Sequence, residues 1–78
     1  MWIRTGDVIC NTDEFCRFYV EEMPNKNHGV FGKQSDNLST LLGEYWSQIK
    51  AREVFDTLYA ALERGDKAFT MPNSDKRW

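Results

Sequence analysis

A stripe of apolar side chains between residues 51 and 62 constrains the fold more than any other feature of the sequence. Its members follow one another at helical spacings of three and four residues: Ala51, Val54, Phe55, Leu58, Ala61 and Leu62. The stripe predicts an α-helix that Ser47 caps at its N-terminus and that Gly65 ends in a left-handed conformation. A helix of this kind cannot bury its apolar side alone, so it must lie against a sheet formed by the rest of the chain.

Short segments rich in strand-forming residues, separated by turn-forming residues, make up most of the remaining sequence. The predicted strands are Trp2–Thr5, Val8–Cys10, Phe15–Glu22, His28–Lys33, Leu38–Trp46 and Lys67–Met71, with turns at 11–13, 23–27 and 35–37. Short connections favour antiparallel pairing. We therefore predict an α+β fold, in which a small antiparallel sheet or partial barrel of four to six strands packs against one C-terminal α-helix. In this prediction residues 1–72 form a single domain and residues 73–78 form a frayed C-terminal tail.

Alternation along the strand predicted at residues 15–22 divides its side chains between two faces. One face, which we assign to the core, carries Cys16, Phe18 and Val20. The opposite face carries Phe15, Arg17, Tyr19 and Glu21. Aromatic residues and arginine are enriched at protein interfaces, so we predict a partner-binding patch at Phe15, Arg17 and Tyr19, with Trp46 as a further exposed ring. The alternative is that residues 24–41 or a second copy of the chain cover this face, and a homodimer would satisfy both interpretations.

Composition and charge describe a folded chain and disfavour two classes of partner. Apolar residues make up 41% of the sequence and charged residues 28%, and the net charge at pH 7 is −2. Nucleic-acid binding without sequence preference needs a concentrated positive face, which this charge argues against. No apolar run approaches the roughly 18 residues of a membrane-spanning helix, and the first residues lack the apolar core of a signal peptide. We expect a cytoplasmic protein, with Cys10 and Cys16 as free thiols.

Candidate chemistry is sparse in this sequence. Cys10, Cys16 and His28 could supply three zinc ligands if they converged, and the alternative places Cys16 in the core and His28 in a solvated turn. Nucleophilic catalysis needs a base beside the nucleophile, and nothing near His28 in the sequence orients it. Adjacent carboxylates such as Glu21 and Glu22 point to opposite faces of a strand. We therefore predict a protein that is not an enzyme and that uses no metal or cofactor.

Four short segments together resemble a known group of proteins. They are Met1-Trp2-Ile3-Arg4-Thr5, Leu42-Gly43-Glu44-Tyr45, the helix positions Ala51, Val54 and Leu58, and Phe69-Thr70-Met71-Pro72. On these segments the chain resembles a family of short, uncharacterised proteins encoded by phages and mobile elements of Gram-positive bacteria. The resemblance covers the first residues and residues 42–72, and it carries over no catalytic or binding residue. It implies a small accessory protein of a phage or integrated element, located in the cytoplasm of a bacterial host cell, and such proteins often act by binding.

Three functional hypotheses follow. The first is an accessory protein that binds a host protein and inhibits or modulates it, for example an anti-defence protein such as an anti-CRISPR-type inhibitor. The second is a small-ligand sponge that sequesters a nucleotide signal, in which aromatic rings stack on the base and Arg17, Arg4 or Lys33 holds a phosphate. The third is a structural component of the phage.

Overall fold

The computed structural model describes residues 1–34 and 38–72, and in them six strands form two sheets beside one α-helix. The elements along the chain are β1 (Trp2–Thr5), β2 (Val8–Asn11), a single 3-10 turn (Thr12–Glu14), β3 (Phe15–Glu22), β4 (His28–Gln34), β5 (Ser39–Tyr45), α1 (Gln48–Arg64) and β6 (Ala68–Thr70). The predicted α+β class, with a six-stranded β part packed against one C-terminal helix, is confirmed. The predicted turn at 35–37 and the predicted tail at 73–78 lie outside the described residues.

The larger sheet, β3–β4–β5, is an antiparallel meander that α1 covers on one face. A tight turn joins β3 to β4: the Met23 N–H donates to the Asn27 carbonyl at 2.8 Å, and the Lys26 N–H donates to the Met23 carbonyl at 2.9 Å. Asn25 Oδ1 accepts a hydrogen bond from the N–H of Asn27 at 3.0 Å, so a side chain stabilises the turn in addition to the backbone bonds. This turn sets the register of β3 with β4 from Glu22 back to Arg17.

The smaller sheet, β2–β1–β6, brings the two ends of the fold together. β1 and β2 form an antiparallel hairpin, whereas β6 pairs with β1 in parallel, with Trp2 opposite Ala68 and Arg4 opposite Thr70. The Met71 N–H extends this pairing by donating to the Arg4 carbonyl at 2.8 Å. Parallel strands need a long connection, and β2 to α1 all lie between β1 and β6 along the chain.

The core lies between the two sheets and α1. Its buried members are Ile3, Val30, Leu42, Tyr45, Ala51, Val54, Leu58 and Met71. The predicted helix caps are confirmed: Ser47 Oγ accepts the Lys50 N–H at 3.2 Å, and Gly65 is left-handed with φ 76°. No helix among the described residues has both the length and the apolar character that crossing a membrane requires.

The side chain of Thr5 ties the smaller sheet to the larger one. β5 contains a bulge, because it uses two steps between Leu41 and Gly43 where β4 uses one. A bulge leaves backbone groups outside the regular ladder. The Thr5 hydroxyl donates to the carbonyl of Leu42, inside this bulge, at 2.6 Å. β1 is thereby fixed against the edge of the sheet that β5 forms.

Candidate functional site

A bulge at the start of β3 changes which of its side chains face the core. Phe15 pairs with Gln34 whereas Arg17 pairs with Lys33, so β3 uses one more residue than β4 between these rungs. An extra residue resets the alternation of faces. The predictions that Phe15 faces outward and that Cys16 faces the core are therefore wrong, since Phe15 packs against the core and Cys16 is exposed.

Beyond the bulge, β3 follows the predicted alternation. Phe18 and Val20 are half-buried against the core, and the Phe18 ring meets the Phe15 ring edge-on with centroids 5.5 Å apart. Arg17 and Tyr19 lie on the opposite face, where the sequence analysis placed them. The structure thus brings two of the four predicted site residues together on the face of the larger sheet that α1 leaves uncovered.

This uncovered face carries what we call the outer-face patch. Its members come from all three strands: Arg17, Tyr19 and Glu21 on β3, Phe31 and Lys33 on β4, and Leu41 on β5. The rings of Tyr19 and Phe31 are stacked, with centroids 5.2 Å apart and planes 16° apart. The Tyr19 hydroxyl shares a 2.9 Å hydrogen bond with Ser39 Oγ, which fixes its ring across the sheet.

The centre of the outer-face patch consists of two apolar side chains that lie over a glycine. A Cβ atom at Gly29 would lie 2.8 Å from the Phe31 ring and 2.9 Å from Leu41 Cδ1. These two side chains therefore lie flat over the Gly29 backbone. The result is a low apolar surface, which a side chain at residue 29 would disrupt.

The two ends of the outer-face patch carry opposite charge. At one end Arg17 and Lys33 are directly opposite each other on adjacent strands, and within the described residues neither forms an ion pair. Like charges in this position destabilise a sheet unless an anion lies between them. At the other end Glu21 and Glu44 lie on one rung, on either side of Gly29. A shallow depression of about 370 Å³ runs along β3 and β4 between the cationic and acidic ends.

Trp46 does not belong to the outer-face patch, although the sequence analysis grouped it with Arg17 and Tyr19. It follows Tyr45, which pairs with His28 at the end of the sheet nearest the β3–β4 turn. That rung is five residues along β3 from Arg17, or roughly 17 Å at the rise of a strand. Trp46 is 55% exposed and marks a different surface, beside the N-terminus of α1.

The candidate zinc ligands are also separated. His28 pairs with Glu22, six residues along β3 from Cys16, which corresponds to roughly 20 Å. Cys10 lies in the smaller sheet opposite Ile3. Among residues 1–34 and 38–72, no three His, Cys, Asp or Glu side chains lie close enough together to hold a metal ion.

An apolar groove of about 180 Å³ lies between β3 and α1. Its walls are Phe18, Phe55, Leu58, Tyr59 and Leu62. The apolar stripe that was predicted to be buried includes Phe55, Leu58 and Leu62, but Phe55 and Leu62 are only half-buried. Tyr59, which the stripe did not include, is 61% exposed at the rim of the groove.

The contributions of β4 and β5 to the outer-face patch were not predicted from the sequence. Phe31 and Lys33 alternate with buried residues along β4, so a period-two signal was present but was weakened by Gly29 and Gly32. Comparison of the chain with protein-family models, with curated proteins and with solved structures finds no match. The site is therefore interpreted from its own geometry and chemistry.

Proposed function

We propose that this chain is a binding protein that is not an enzyme, an accessory protein of a phage or mobile element that attaches to a host protein in the cytoplasm and inhibits or modulates it. The outer-face patch is the observation that supports this proposal. It combines stacked rings, an aliphatic side chain and charged groups on a rigid sheet, which is the composition of many protein interfaces. Because a sheet loses little conformational freedom on binding, such a surface binds at a low entropic cost.

The order of chemistry along the patch indicates what the partner presents. Arg17 and Lys33 suit one or more carboxylates, and the guanidinium of Arg17 can hold a carboxylate by two parallel hydrogen bonds. Phe31 and Leu41 suit an apolar side chain that lies flat on the centre. Glu21 suits a basic group at the far end. The proposed partner surface is thus acidic, then apolar, then basic along one direction.

The test is to identify the partner and then measure its affinity for variants of the patch. Capture from a lysate of Gram-positive cells identifies candidates, and calorimetry with the purified partner gives the dissociation constant. We expect Arg17→Ala and Lys33→Ala each to weaken binding by roughly 5–30-fold, which corresponds to about 1–2 kcal/mol. Tyr19→Ala is expected to weaken binding as well, because it removes the ring that stacks on Phe31.

Lys67→Ala is the matched control for this experiment. It removes the same charge from an exposed position just before β6, away from the larger sheet. The control variant is expected to bind like the wild type. If Arg17→Ala and Lys33→Ala also bind like the wild type while remaining folded, the assignment of the interface to the outer-face patch is wrong.

A nucleotide is the second candidate ligand, favoured by one specific arrangement. The Tyr19 ring stands beside Arg17 and Lys33 around the shallow depression, so a base could stack while a phosphate meets the two cations. A thermal-shift screen with mono-, di- and cyclic nucleotides tests this. A ligand at 100 times its dissociation constant adds about 2.7 kcal/mol of stability, which raises the Tm of a small domain by roughly 10–20 °C. An unchanged Tm with every nucleotide would eliminate this candidate.

A further inference from the structure

The outer edge of β3 has backbone donors and acceptors without a partner among the described residues. The turn shows which groups these are. Because the Met23 N–H bonds to Asn27, and because bonded and non-bonded pairs alternate along an antiparallel ladder, the odd-numbered residues 17, 19 and 21 bond to β4. The N–H and C=O groups of Phe18 and Val20 therefore point away from β4, towards the open edge.

Two-fold symmetry restricts how a second copy of β3 can pair with this edge. The hydrogen-bonded residues of both copies must be the even-numbered ones, so even-numbered residues lie opposite even-numbered ones and odd opposite odd. One residue must then lie opposite its own copy, and the two-fold axis passes midway between the two. An axis one residue to either side of Tyr19 leaves Arg17 opposite an uncharged side chain. An axis at Tyr19 itself places Arg17 opposite Glu21 of the second copy, and Phe18 opposite Val20 of the second copy.

We propose that this chain forms a symmetric homodimer, in which β3 pairs antiparallel with β3 of a second copy about an axis at Tyr19. The two larger sheets then become one sheet of six strands. Backbone hydrogen bonds run between Phe18 and Val20 of the two copies, and these side chains continue the apolar layer beneath α1. On the outer face, two pairs of Arg17 with Glu21 lie on either side of the two Tyr19 rings, and opposite charges across a strand pair stabilise it.

The apolar groove beside β3 supports the same occupant. Its walls come from α1 and from Phe18 of β3, the strand at which the second copy pairs, and they include the exposed Tyr59 ring. Each α1 lies on the same face of its own sheet, so the pairing of the edges brings the two helices and the two grooves side by side. The dimer thereby covers Phe18, Phe55 and Leu62, which one copy leaves half-buried.

The homodimer is a separate inference from the proposed host interaction, and it would place two outer-face patches on one continuous sheet. Lys33 and Leu41 lie on β4 and β5, away from the paired edge. Lys33→Ala therefore reports on the host interaction alone. Arg17, Tyr19 and Glu21 take part in both proposals, so for these residues sedimentation of the chain by itself measures the dimer and calorimetry with the partner measures host binding. Failure of one proposal leaves the other standing.

Charge reversal tests the pairing by sedimentation over a concentration series. We expect the wild type to dimerise, and Arg17→Glu alone or Glu21→Arg alone to weaken the dimer by at least about tenfold, because each places like charges opposite each other twice. An equal mixture of the two variants should recover a heterodimer of nearly wild-type affinity, since both opposed pairs are again of opposite charge. Lys67→Glu is the control and should dimerise like the wild type. A wild type that stays monomeric, single variants that dimerise unchanged, or a mixture that stays monomeric would each overturn the proposal.

A cross-link provides a second test that does not depend on charge. Residues on a two-fold axis in a non-bonded antiparallel pair have Cα atoms about 4.5 Å apart, within the range that a disulfide spans. In a chain with Cys10→Ser and Cys16→Ser, we expect Tyr19→Cys to form a covalent dimer on mild oxidation. Leu41→Cys, on the same face but on the far strand, should remain monomeric on a non-reducing gel. Equal cross-linking of both variants, or none at residue 19, would contradict the axis.

Discussion

Replacement of Tyr45 by phenylalanine removes a single hydroxyl group from the centre of the core. Tyr45 is 0% exposed, and its hydroxyl donates to the Pro72 carbonyl at 2.8 Å. Tyr45→Phe keeps the ring, loses this hydrogen bond and leaves the Pro72 carbonyl without the donor. At neutral pH the free energy of unfolding should fall by about 0.5–1.5 kcal/mol. For a chain of this length each kcal/mol lowers the Tm by roughly 4–8 °C.

The same substitution should change the response of stability to alkali. Burial raises the pKa of Tyr45 to about 12, whereas a tyrosine in the unfolded chain has a pKa of about 10. Between these values the unfolded state has lost a proton that the folded state still holds, so the stability of the wild type falls as the pH rises. In this range the free energy of unfolding of the wild type falls by about 1.4 kcal/mol per pH unit. The stability that the protonated Tyr45 hydroxyl contributes is fully present below pH 10 and is lost as the pH rises towards about 12.

Urea denaturation of the wild type and Tyr45→Phe, followed by tryptophan fluorescence between pH 8 and about pH 12, measures this effect. The wild type should be the more stable protein at pH 8, and the variant should become the more stable one above roughly pH 11. Tyr59→Phe, which removes the hydroxyl of an exposed ring, is the matched control and should differ little from the wild type at pH 8. A difference between wild type and Tyr45→Phe that does not change with pH would refute the reasoning.

The remaining predictions concern packing, and denaturant unfolding measures all of them. Gly43→Ala should destabilise the protein by about 1–3 kcal/mol, because the new methyl group would lie 2.6 Å from the Tyr45 hydroxyl oxygen and 2.8 Å from a carbon of that buried ring. Gly29→Ala should cost less, because the side chains in its way lie on the outer face and can move towards solvent; an equal cost would argue against this explanation. Leu58→Ala should cost about 2–5 kcal/mol because Leu58 is 1% exposed. Phe55→Ala should cost less than Leu58→Ala because the Phe55 ring borders the groove, and the reverse order would contradict the described packing.

The helix was predictable because all of its signals are local. These signals are the apolar stripe, the cap at Ser47 and the left-handed Gly65. Each is formed by residues close together in the sequence and depends only on the backbone of that segment. The strand bounds were predictable to within a residue or two for the same reason, since Pro24 and the asparagines around it end β3.

The bulges could not be predicted from side-chain alternation. The pattern Phe15 to Glu22 reads as regular whether or not an extra residue is inserted, because both Phe15 and Cys16 are acceptable on either face. The bulge in β5 is equally hidden, because residues 41 and 42 are both leucine although one is exposed and the other is buried. What decides each case is backbone hydrogen bonding to the neighbouring strand, which a single sequence does not display.

The candidate site was predictable only where one strand carries it. Arg17 and Tyr19 follow from alternation on β3, whereas Lys33 and Leu41 join them through the register between strands. Register is set by turns and by bulges together, so an error of one bulge moves a neighbour to the wrong face. The same limit explains why the parallel pairing of β1 with β6 was not predicted, as its partners are far apart in the sequence.

The pairing of β1 with β6 has a consequence for synthesis of the chain on the ribosome. Ile3 is made well before its neighbour Phe69 and the buried Met71, which follow only after every other described strand and α1 have been translated. Until then the nascent chain keeps one side of β1 open, and its apolar interior is incomplete. Translation that stops before β6 therefore leaves an exposed strand edge on β1, of the kind that chaperones and proteases bind.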